Sequence, residues 1–539
     1  MSTPMLMANP PGAALEPATP SRPVESRDPA TGEVWRRYAA PSTAEVASAV
    51  EAARQAQPAW AGLAVRERAR VLDRFRSVLM ARRIEVATAI CRENGKPVGE
   101  ALATEILVAL DYAAYFARLA PKALAPRRVA PATMSMLLKK VRLEYHPHGV
   151  VGVISPWNYP FQLAAGVVLP ALVAGNAVVL KPSEFTPTSG VLLVELLREA
   201  GVPEHVIAVL PGDGMTGAAL VGAGVNRVSF TGSVATGRKV AGACAAQLIP
   251  CSLELGGSDP AIVLDDADVE RAARGIVWGR FSNAGQTCVA PKRVFVEAAV
   301  FDAFTAAIGR QVRALHVGAG GTPGTEVGPM IRPAAVTELR AQLDDAVARG
   351  AVVAAAASLG DRSPESWFVP TVVTNVTSEM RVLREETFGP LLPLVKVESE
   401  DDAVRRANAS EFGLSASVWS GDRRRAERVA SRLEAGTVAI NDAVVVAGMA
   451  NVPHGGVKAS GLGRSHGEQG LMECVESRAI VSDRFAMARQ PWWFGYGTGH
   501  VDDADGLVLS VHGRSIGEQL RGTWRLLRAV LGARRSTGD

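Results

Sequence analysis

Two short motifs contain side chains that could carry out covalent chemistry. One is Gly285-Gln-Thr-Cys288, whose small and polar residues indicate a thiol held at a loop tip rather than packed in a core. The other is Leu253-Glu254-Leu-Gly-Gly257, which supplies a carboxylate upstream of that thiol. Covalent catalysis in two steps needs a nucleophile and a base. We therefore interpret Cys288 as a candidate nucleophile and Glu254 as a candidate base.

Four predicted strands place polar motifs at one edge of a sheet. Short apolar segments alternate here with helical ones, which predicts an α/β fold whose parallel sheet is covered on both faces. The strands are predicted at residues 150–155, 178–181, 206–210 and 227–230. Each ends in a polar motif: Pro156-Trp-Asn158, Pro182-Ser-Glu184, Pro211-Gly-Asp-Gly214 or Thr231-Gly-Ser233. Ligands bind beyond the carboxyl ends of parallel strands, so the motifs predict a binding site at this edge.

Other patterns predict the elements around this sheet. The motif Ser42-Thr-Ala-Glu45 is typical of a capping box and predicts a helix over residues 46–57. A second α/β region follows, with its strands predicted at residues 294–296, 368–373 and 393–397. Residues 163–180 are almost wholly apolar, but Gly175 within them predicts a buried helix and then a short strand, rather than a membrane span.

Composition argues against several functional classes. Of the 539 residues, 48% are apolar and 21% are charged, as in ordinary globular proteins. The net charge of +4 is too small to indicate binding to nucleic acid. The five cysteines form no C-x-x-C pair, which argues against a disulfide or zinc scaffold and fits a reducing compartment. Because the N-terminus lacks the layout of a signal peptide, we expect a cytoplasmic protein.

Six motifs give the chain a resemblance to the aldehyde dehydrogenase superfamily over about residues 25–485. They occur in the family's order: Pro156-Trp-Asn158, Lys181-Pro-Ser-Glu184, Phe230-Thr-Gly-Ser233, Glu254-Leu-Gly-Gly257, Gly285-Gln-Thr-Cys288 and Glu386-Thr-Phe-Gly-Pro390. The resemblance implies an enzyme that oxidises an aldehyde to a carboxylic acid with NAD(P). It also implies a Rossmann-like cofactor domain, a second α/β catalytic domain and a small oligomerisation arm made of strands.

The resemblance also sets expected domain boundaries. The strand arm would pair subunits into a homodimer or a homotetramer. Frequent proline predicts that the first residues form a disordered lead-in. The expected divisions are the lead-in at 1–24, the cofactor domain at 25–131 and 148–256, the arm at 132–147 and 471–486, the catalytic domain at 257–455, and a C-terminal extension at 487–539.

By this resemblance, the Cys288 thiolate attacks the aldehyde carbon. The oxyanion of the thiohemiacetal would accept hydrogen bonds from the Asn158 side-chain amide and the Cys288 backbone N–H. Glu254 would then activate water to hydrolyse the thioester. Family members that pass the acyl group to coenzyme A generally lack this base, so Glu254 argues against that reaction. A catalytically silent binding protein on the same scaffold is a further alternative, but the three residues whose loss would mark it are present.

The resemblance assigns a set of cofactor-binding residues as well. Lys181 and Glu184 match residues at the adenosine ribose, whereas Glu386 and Phe388 match residues at the nicotinamide ribose and ring. Glu184 would repel a 2′-phosphate, which favours NAD, while the small Ser183 leaves NADP open. The full set is Ser155, Pro156, Trp157, Lys181, Ser183, Glu184, Gly212, Phe230, Thr231, Gly232, Ser233, Leu255, Gly256, Glu386 and Phe388.

Residues 443–450 fall where the family has its substrate-facing loop, and they are almost wholly apolar. Since this loop holds no Lys or Arg for a substrate carboxylate, it favours an apolar aliphatic or aromatic aldehyde. The valines could instead pack internally, and a carboxylated substrate such as succinate semialdehyde is the alternative. His454 stands where the family commonly has Phe, and we interpret it as structural rather than as a metal ligand.

The C-terminal tail departs from the compact family pattern. From Arg514 to Arg535 it holds six arginines and one glutamate. Apolar residues recur every three to four positions, at Leu520, Trp524, Leu527 and Leu531. This pattern predicts a basic amphipathic helix over residues 515–535. Such a helix could contact an anionic membrane surface, although its short length favours packing on the body or on a neighbouring subunit.

Overall fold

The computed structural model describes residues 23–132, 136, 139–360, 366–484, 493–494 and 499–533. The chain forms two compact units. The first comprises residues 1–123 and 147–475, and the second comprises residues 124–146 and 476–539. The lead-in predicted at 1–24 therefore lies almost entirely outside the described residues.

The strands run in chain order through both units. They are β1 (Val24–Arg27), β2 (Val34–Tyr38), β3 (Arg127–Val129), β4 (Lys139–Pro147), β5 (Val150–Ile154), β6 (Ala177–Lys181), β7 (Ile207–Val209), β8 (Arg227–Thr231), β9 (Cys251–Glu254), β10 (Asp259–Val263), β11 (Pro291–Glu297), β12 (Val352–Ala356), β13 (Thr371–Thr374), β14 (Leu391–Val397), β15 (Ser415–Trp419), β16 (Thr437–Ile440), β17 (Gly461–Leu462) and β18 (Val475–Asp483).

The α-helices alternate with these strands over most of the chain. They are α1 (Thr43–Gly62), α2 (Val65–Asn94), α3 (Val98–Ala101), α4 (Leu107–Ala123), α5 (Gln162–Ala174), α6 (Pro187–Glu199), α7 (Gly214–Gly222), α8 (Val234–Ala246), α9 (Val269–Phe281), α10 (Phe301–Arg313), α11 (Pro333–Ala348), α12 (Arg381–Arg384), α13 (Glu400–Asn408), α14 (Arg423–Ala430), α15 (Gly467–Met472), α16 (His500–His512) and α17 (Ile516–Ala533).

The first unit contains a six-stranded sheet in the order β17-β9-β8-β5-β6-β7. Strands β5 to β9 pair in parallel, and β17 adds an antiparallel edge. Every residue of β5 and of β6 is buried, as expected for a parallel sheet covered on both faces. The four strands predicted from the sequence are β5 to β8, so the prediction of an α/β fold here is confirmed.

A seven-stranded sheet in the same unit has the order β12-β13-β14-β11-β10-β15-β16. Its strands pair in parallel except for β12, which is antiparallel to β13. Two of the predicted strands lie in β11 and β14. The third, predicted at 368–373, was placed too early, because β13 begins at Thr371. Pro370 immediately before it has no N–H to donate to a sheet, which explains the later start.

The helix starts and stops follow their local signals. The Ser42 side chain accepts a hydrogen bond from Glu45 N, so the predicted capping box is present. The helix continues to Gly62 instead of stopping at residue 57, and buried Trp60 holds the added turn by donating to Leu172 O at 2.9 Å. Gly175 caps α5 with a φ of 102°, as predicted, and β6 follows. Within the described residues no helix is long and apolar enough to cross a membrane.

The second unit contains a three-stranded sheet, in the order β18-β4-β3, and a pair of helices. Its strands β4 and β18 fall within the arm predicted at 132–147 and 471–486, of which residues 133–135, 137–138 and 485–486 lie outside the described part. Helix α17 matches the predicted basic helix, whereas α16 was not predicted. The two helices approach closely at Gly506 and Gly522, and Arg525 pairs with Asp505 at 2.5 Å.

Candidate active site

The predicted site lies where the strands of the six-stranded sheet end. Residues 155–158 follow β5, Gly232 and Ser233 follow β8, and Glu254 is the last residue of β9. A cavity of about 260 Å³ opens at this edge. Its lining includes twelve of the predicted site residues: Pro156, Trp157, Asn158, Thr231, Gly232, Ser233, Glu254, Leu255, Gly256, Cys288, Glu386 and Phe388. We call this space the reaction cavity.

The other predicted site residues lie around the reaction cavity without lining it. Ser155 donates its backbone N–H to Lys181 O at 3.1 Å, which ties the ends of β5 and β6 together. Lys181 Nζ is 3.4 Å from a Glu184 carboxylate oxygen, and the Ser183 hydroxyl is 3.4 Å from that same oxygen. The remaining members are Gly212, which precedes α7 and faces Thr216, and buried Phe230, which lies beneath Gly232.

The turn before Cys288 has a backbone conformation that the sequence did not predict. Asn283 and Ala284 have φ values of 52° and 53°, and Gly285 has a φ of 72°. Non-glycine residues rarely adopt such values, so the surrounding structure must hold this turn in place. The run 281–287 is buried and the Cys288 side chain is only partly exposed. The thiol therefore sits at the floor of a cavity instead of at a projecting loop tip.

Asn158 is fixed from several directions. Its side-chain Nδ2 donates to Gln286 O at 3.1 Å, which directs the amide towards the Cys288 turn. Its backbone carbonyl accepts from Lys96 Nζ at 2.9 Å and from Asn283 Nδ2 at 2.7 Å. Lys96 is in turn held by a buried ion pair with Glu105 at 2.7 Å. An amide nitrogen carries two protons, so the bond to Gln286 leaves Nδ2 with a second N–H.

The Cys288 thiol is in an environment that disfavours its charged form. Burial raises the pKa of Cys288 to about 12, and the carboxylates of Asp259, Glu386 and Glu254 act in the same direction. The Lys292 ammonium opposes this shift. Lys292 Nζ donates to Cys288 O at 2.6 Å and contacts Glu386 at 3.2 Å. Additional positive charge in the cavity would therefore favour the thiolate.

Glu254 has the properties expected of a base that works near neutral pH. Burial raises the pKa of its carboxyl to about 8, against the lowering influence of Ser465 and Arg464. The Ser465 hydroxyl donates to Oε1 at 3.3 Å. Oε2 has no hydrogen-bond partner among the described residues. A carboxylate with a free oxygen and a pKa near 8 can take a proton from water.

Three residues near these groups were not predicted as site residues. Ser465 contacts Glu254, and Lys292 links the Cys288 carbonyl to Glu386. His454, which we interpreted as structural, is buried but also lines the reaction cavity. Its substitution for the family's Phe was the one sequence signal that singled it out.

Groups of three or more side chains suited to a metal ion do not occur within the described part of the chain.

A second cavity, of about 670 Å³, meets the reaction cavity at Cys288. We call it the substrate cavity. Its walls come from α4, from Leu163 and Trp278, and from the 443–450 loop. Most of its lining is apolar, and the charged side chains there, Asp111 and Arg118, are exposed on α4. The size and polarity of this cavity suit a large apolar group.

The 443–450 loop resolves the alternative left open by its sequence. Val445 and Met449 are 42% and 38% exposed and line the substrate cavity. Val446, by contrast, is buried and does not line this cavity. Tyr112 and Gln162 hold the loop through Ala447 O, at 2.9 and 3.4 Å. The loop therefore presents some apolar side chains to the cavity and anchors itself with others.

Comparisons with known proteins agree with this geometry. The model of the Aldehyde dehydrogenase family matches residues 16–480. A Mycolicibacterium smegmatis protein named "putative succinate-semialdehyde dehydrogenase", with NADP(+) specified, is 40% identical over 468 residues, which cover 87% of this chain and 90% of the relative. A 4,4'-diapolycopene aldehyde oxidase of Methylomonas is 38% identical over 485 residues, or 90% of each chain.

A solved structure shares the architecture as well. The NAD+ complex of an aldehyde dehydrogenase from Bacillus cereus superposes with a TM-score of 0.81 at 33% sequence identity. The superposition covers 86% of this chain and 93% of the other.

Proposed function

Since the chain belongs to the aldehyde dehydrogenase family, whose members oxidise aldehydes with NAD(P), we propose that it converts a large apolar aldehyde to the carboxylic acid. Cys288 is the proposed nucleophile, Asn158 the oxyanion donor and Glu254 the base. One observation carries this proposal. Cys288 lies where two cavities meet, one lined by Asn158 and Glu254 and the other lined mainly by apolar side chains.

The residues around the reaction cavity fit a nicotinamide dinucleotide. Gly232 and Ser233 lie at the N-terminus of α8, where the helix dipole and the N–H groups of the first turn favour a pyrophosphate. Gly256 leaves room beside Glu386, since a Cβ at Gly256 would collide with the Glu386 carboxylate. Trp157 and Phe388 lie edge to face, with ring centroids 5.4 Å apart. We propose that these residues hold NAD(P), which when bound supplies the hydride acceptor.

The first step of the proposed reaction is acylation of Cys288. The Cys288 thiol first loses its proton to water, and the thiolate sulfur then bonds to the aldehyde carbon. The carbonyl π-electrons move to oxygen, which becomes an oxyanion that needs donors already in place. The second N–H of Asn158 Nδ2 and the backbone N–H of Cys288 are the proposed donors. Losing one such donor raises a barrier by about 2.7–4 kcal/mol. The Lys292 contacts described above link the Cys288 backbone to Glu386.

Glu254 acts in the second half of the reaction. Once the substrate carbon has been oxidised, a thioester joins it to Cys288. The ionised Glu254 carboxylate accepts a proton from water, and the water oxygen attacks the thioester carbon. The carbon–sulfur bond then breaks and the carboxylic acid leaves.

The substrate class is proposed from the substrate cavity. An apolar wall of this size stabilises a long aliphatic, polyene or aromatic chain by burying it from water. The name of the Methylomonas relative includes such a substrate, 4,4'-diapolycopene aldehyde. The test is NAD(P)H formation with decanal, benzaldehyde and succinate semialdehyde at matched concentrations. We expect kcat/KM to be highest for decanal, and a preference for succinate semialdehyde would overturn this proposal.

Oxidation of a carboxylated aldehyde is the second candidate function. The name of the Mycolicibacterium relative supports it. In the structure, Arg118 lines the substrate cavity and Arg332 lines the reaction cavity, so either guanidinium could receive a carboxylate. If this candidate is correct, Arg118→Gln or Arg332→Gln will raise KM for succinate semialdehyde and leave KM for decanal unchanged.

The second unit suggests two kinds of contact for this protein. We propose that β18, an edge strand of the three-stranded sheet, pairs with another subunit to give a homodimer or homotetramer. Light scattering coupled to size exclusion tests this, and a monomer would contradict it.

The five cysteines are free, which supports a cytoplasmic location.

We also propose a peripheral membrane contact by α17. Ile516, Leu520, Trp524 and Leu527 are exposed and recur at helical spacing, with several arginines on the same helix. Liposome flotation with and without residues 499–539 tests this contact. We expect recovery on anionic vesicles only for the full chain, and equal recovery of both would refute it.

A further inference from the structure

Two buried polar atoms in the reaction cavity have no hydrogen-bond partner within the described residues. They are Glu254 Oε2 and His454 Nδ1. A buried polar atom left without a partner costs about 1–3 kcal/mol, which a ligand atom that bonds it would recover. Both residues line the cavity that contains Cys288. The pair therefore marks two unsatisfied polar atoms on residues that line the cavity of Cys288, and a small polar molecule that bonded both would satisfy them.

The backbone keeps these two residues close together. His454 and Ser465 exchange both backbone hydrogen bonds, at 2.7 and 2.8 Å. The Ser465 hydroxyl in turn donates to Glu254 Oε1 at 3.3 Å. Gly455, the residue after His454, lies against this oxygen, since a Cβ at Gly455 would be 3.0 Å from it. Ser465 and Gly455 thus occupy one carboxylate oxygen, while the other, Oε2, is buried and has no partner among the described residues.

The orientation of the His454 ring is fixed by aromatic packing. It stacks on His466, with ring centroids 5.6 Å apart and an interplanar angle of 23°. His466 packs on Tyr112 at 4.5 Å, and its Nδ1 is 3.4 Å from the Tyr112 hydroxyl. Gly166 completes this packing, because a Cβ there would lie 2.8 Å from His466 Nε2. A ring held in this way can offer its nitrogen in a constant direction.

Both imidazoles are neutral in this environment. Burial, with a smaller contribution from the Arg464 guanidinium, lowers the pKa of His454 to about 4. Burial also lowers the pKa of His466 well below its ordinary range. A neutral imidazole does not form an ion pair with Glu254, so it leaves the carboxylate free to accept a proton. It can still accept a hydrogen bond from water through an unprotonated nitrogen.

We propose that His454 is a further catalytic residue, which holds the hydrolytic water together with Glu254. This inference rests on the proposed aldehyde oxidation. One O–H of the water donates to Glu254 Oε2 and the other to His454 Nδ1, so that a lone pair of the water oxygen faces the thioester. That oxygen bonds to the thioester carbon while its proton passes to Glu254. The carbon–sulfur bond then breaks, and the Cys288 sulfur leaves as a thiolate that Glu254 reprotonates.

The assignment predicts a defect confined to thioester hydrolysis. His454→Phe keeps an aromatic ring against His466 but removes the acceptor nitrogen. His454→Asn keeps a polar atom near the position of Nδ1. With decanal and NAD+, stopped-flow absorbance measures the first-turnover burst of NADH, and intact-protein mass spectrometry measures the acyl group on Cys288.

We expect His454→Phe to keep the burst rate within about twofold of wild type and to slow the later steady-state rate by roughly tenfold, as for one lost hydrogen bond. Acyl-enzyme should then accumulate on Cys288. His454→Asn should retain hydrolysis within about threefold of wild type. His454→Leu is measured in the same way, so that a folding defect in one variant does not decide the result.

Two results would overturn this role of His454. One is hydrolysis at the wild-type rate in both apolar variants. The other is an equal loss of the burst and the steady-state rate, which would place His454 in acylation or substrate binding instead. A separate control is Glu254→Gln, which should accumulate acyl-enzyme whatever His454 does. If neither wild type nor Glu254→Gln ever carries an acyl group on Cys288, the proposed function itself fails, and this inference fails with it.

Discussion

The two cavities that meet at Cys288 differ in how they are built. The walls of the reaction cavity include buried polar side chains, and several of their atoms are held by long-range hydrogen bonds. The substrate cavity is larger and mainly apolar, and the charged side chains that line it among the described residues, Asp111 and Arg118, are exposed. We infer that the first cavity determines the reaction and that the second determines which aldehyde reaches it.

The largest loss of activity is expected from a substitution of Cys288, where the two cavities meet. Cys288→Ala should lower aldehyde-dependent NAD(P)H formation by at least roughly 10³-fold, because the substitution removes the proposed nucleophile. Cys251→Ala is the matched control, since Cys251 is also partly exposed but lines neither cavity. A Cys288→Ala protein with near wild-type turnover would refute the assignment of the nucleophile.

The next largest effect is expected in the pH dependence of thioester hydrolysis, through the Glu254 carboxyl of the reaction cavity. Because burial raises the pKa of Glu254 to about 8, the carboxyl of this proposed base is mostly protonated at pH 6 and mostly ionised at pH 9. The rate of thioester hydrolysis should therefore rise with pH, by about a hundredfold from pH 6 to its plateau. Single-turnover release of acid across this range measures the profile. A rate independent of pH would show that Glu254 is not the base.

The substrate cavity can be altered without changing the residues that are proposed to react. Met449→Arg should lower kcat/KM for decanal by roughly tenfold, since an unpaired charge on the wall disfavours an apolar chain. The same variant should bind succinate semialdehyde better than wild type does. Met80→Arg introduces the same charge at an exposed position on α2 that lines neither cavity. This variant should leave kcat/KM unchanged for both substrates. Equal effects of the two variants would refute the role of the substrate cavity.

A smaller effect, on the preference between NAD and NADP, is expected from a substitution of Glu184. Glu184→Gln removes a partly exposed carboxylate that would repel a 2′-phosphate. The ratio of kcat/KM for NADP to that for NAD should rise by about fivefold, because the exposed charge is screened by solvent. Glu195→Gln, on the exposed face of α6, is the control. An unchanged ratio would mean that Glu184 does not discriminate between the cofactors.

Local patterns predicted the elements of the fold better than its long-range contacts. Alternating apolar segments located β5, β6, β7 and β8 to within two residues, because a buried parallel strand has a recognisable composition. The start of β13 and the end of α1 were misplaced. The second of these depended on a contact between Trp60 and Leu172, which are far apart in sequence.

In the reaction cavity, too, the sequence predicted the reactive side chains but not their surroundings. Cys288 and Glu254 stand in short motifs, so their chemistry could be read from the residues themselves. The environment of Glu254 could not, because Ser465 lies 211 positions away. The turn at Asn283 and Ala284 likewise has positive φ values that neither residue type predicts.

By itself, the sequence determined the strands β5 to β8, whose ends form the site, and the two side chains that carry the proposed covalent chemistry. These features depend on local composition and on reactive groups that are visible in the residue types. Tertiary structure alone decided that Cys288 lies on a cavity floor, that burial raises the pKa of Glu254 to about 8, and that His454 faces both cavities. Burial and hydrogen bonding between distant segments cause these properties, so they exist only once the chain has folded.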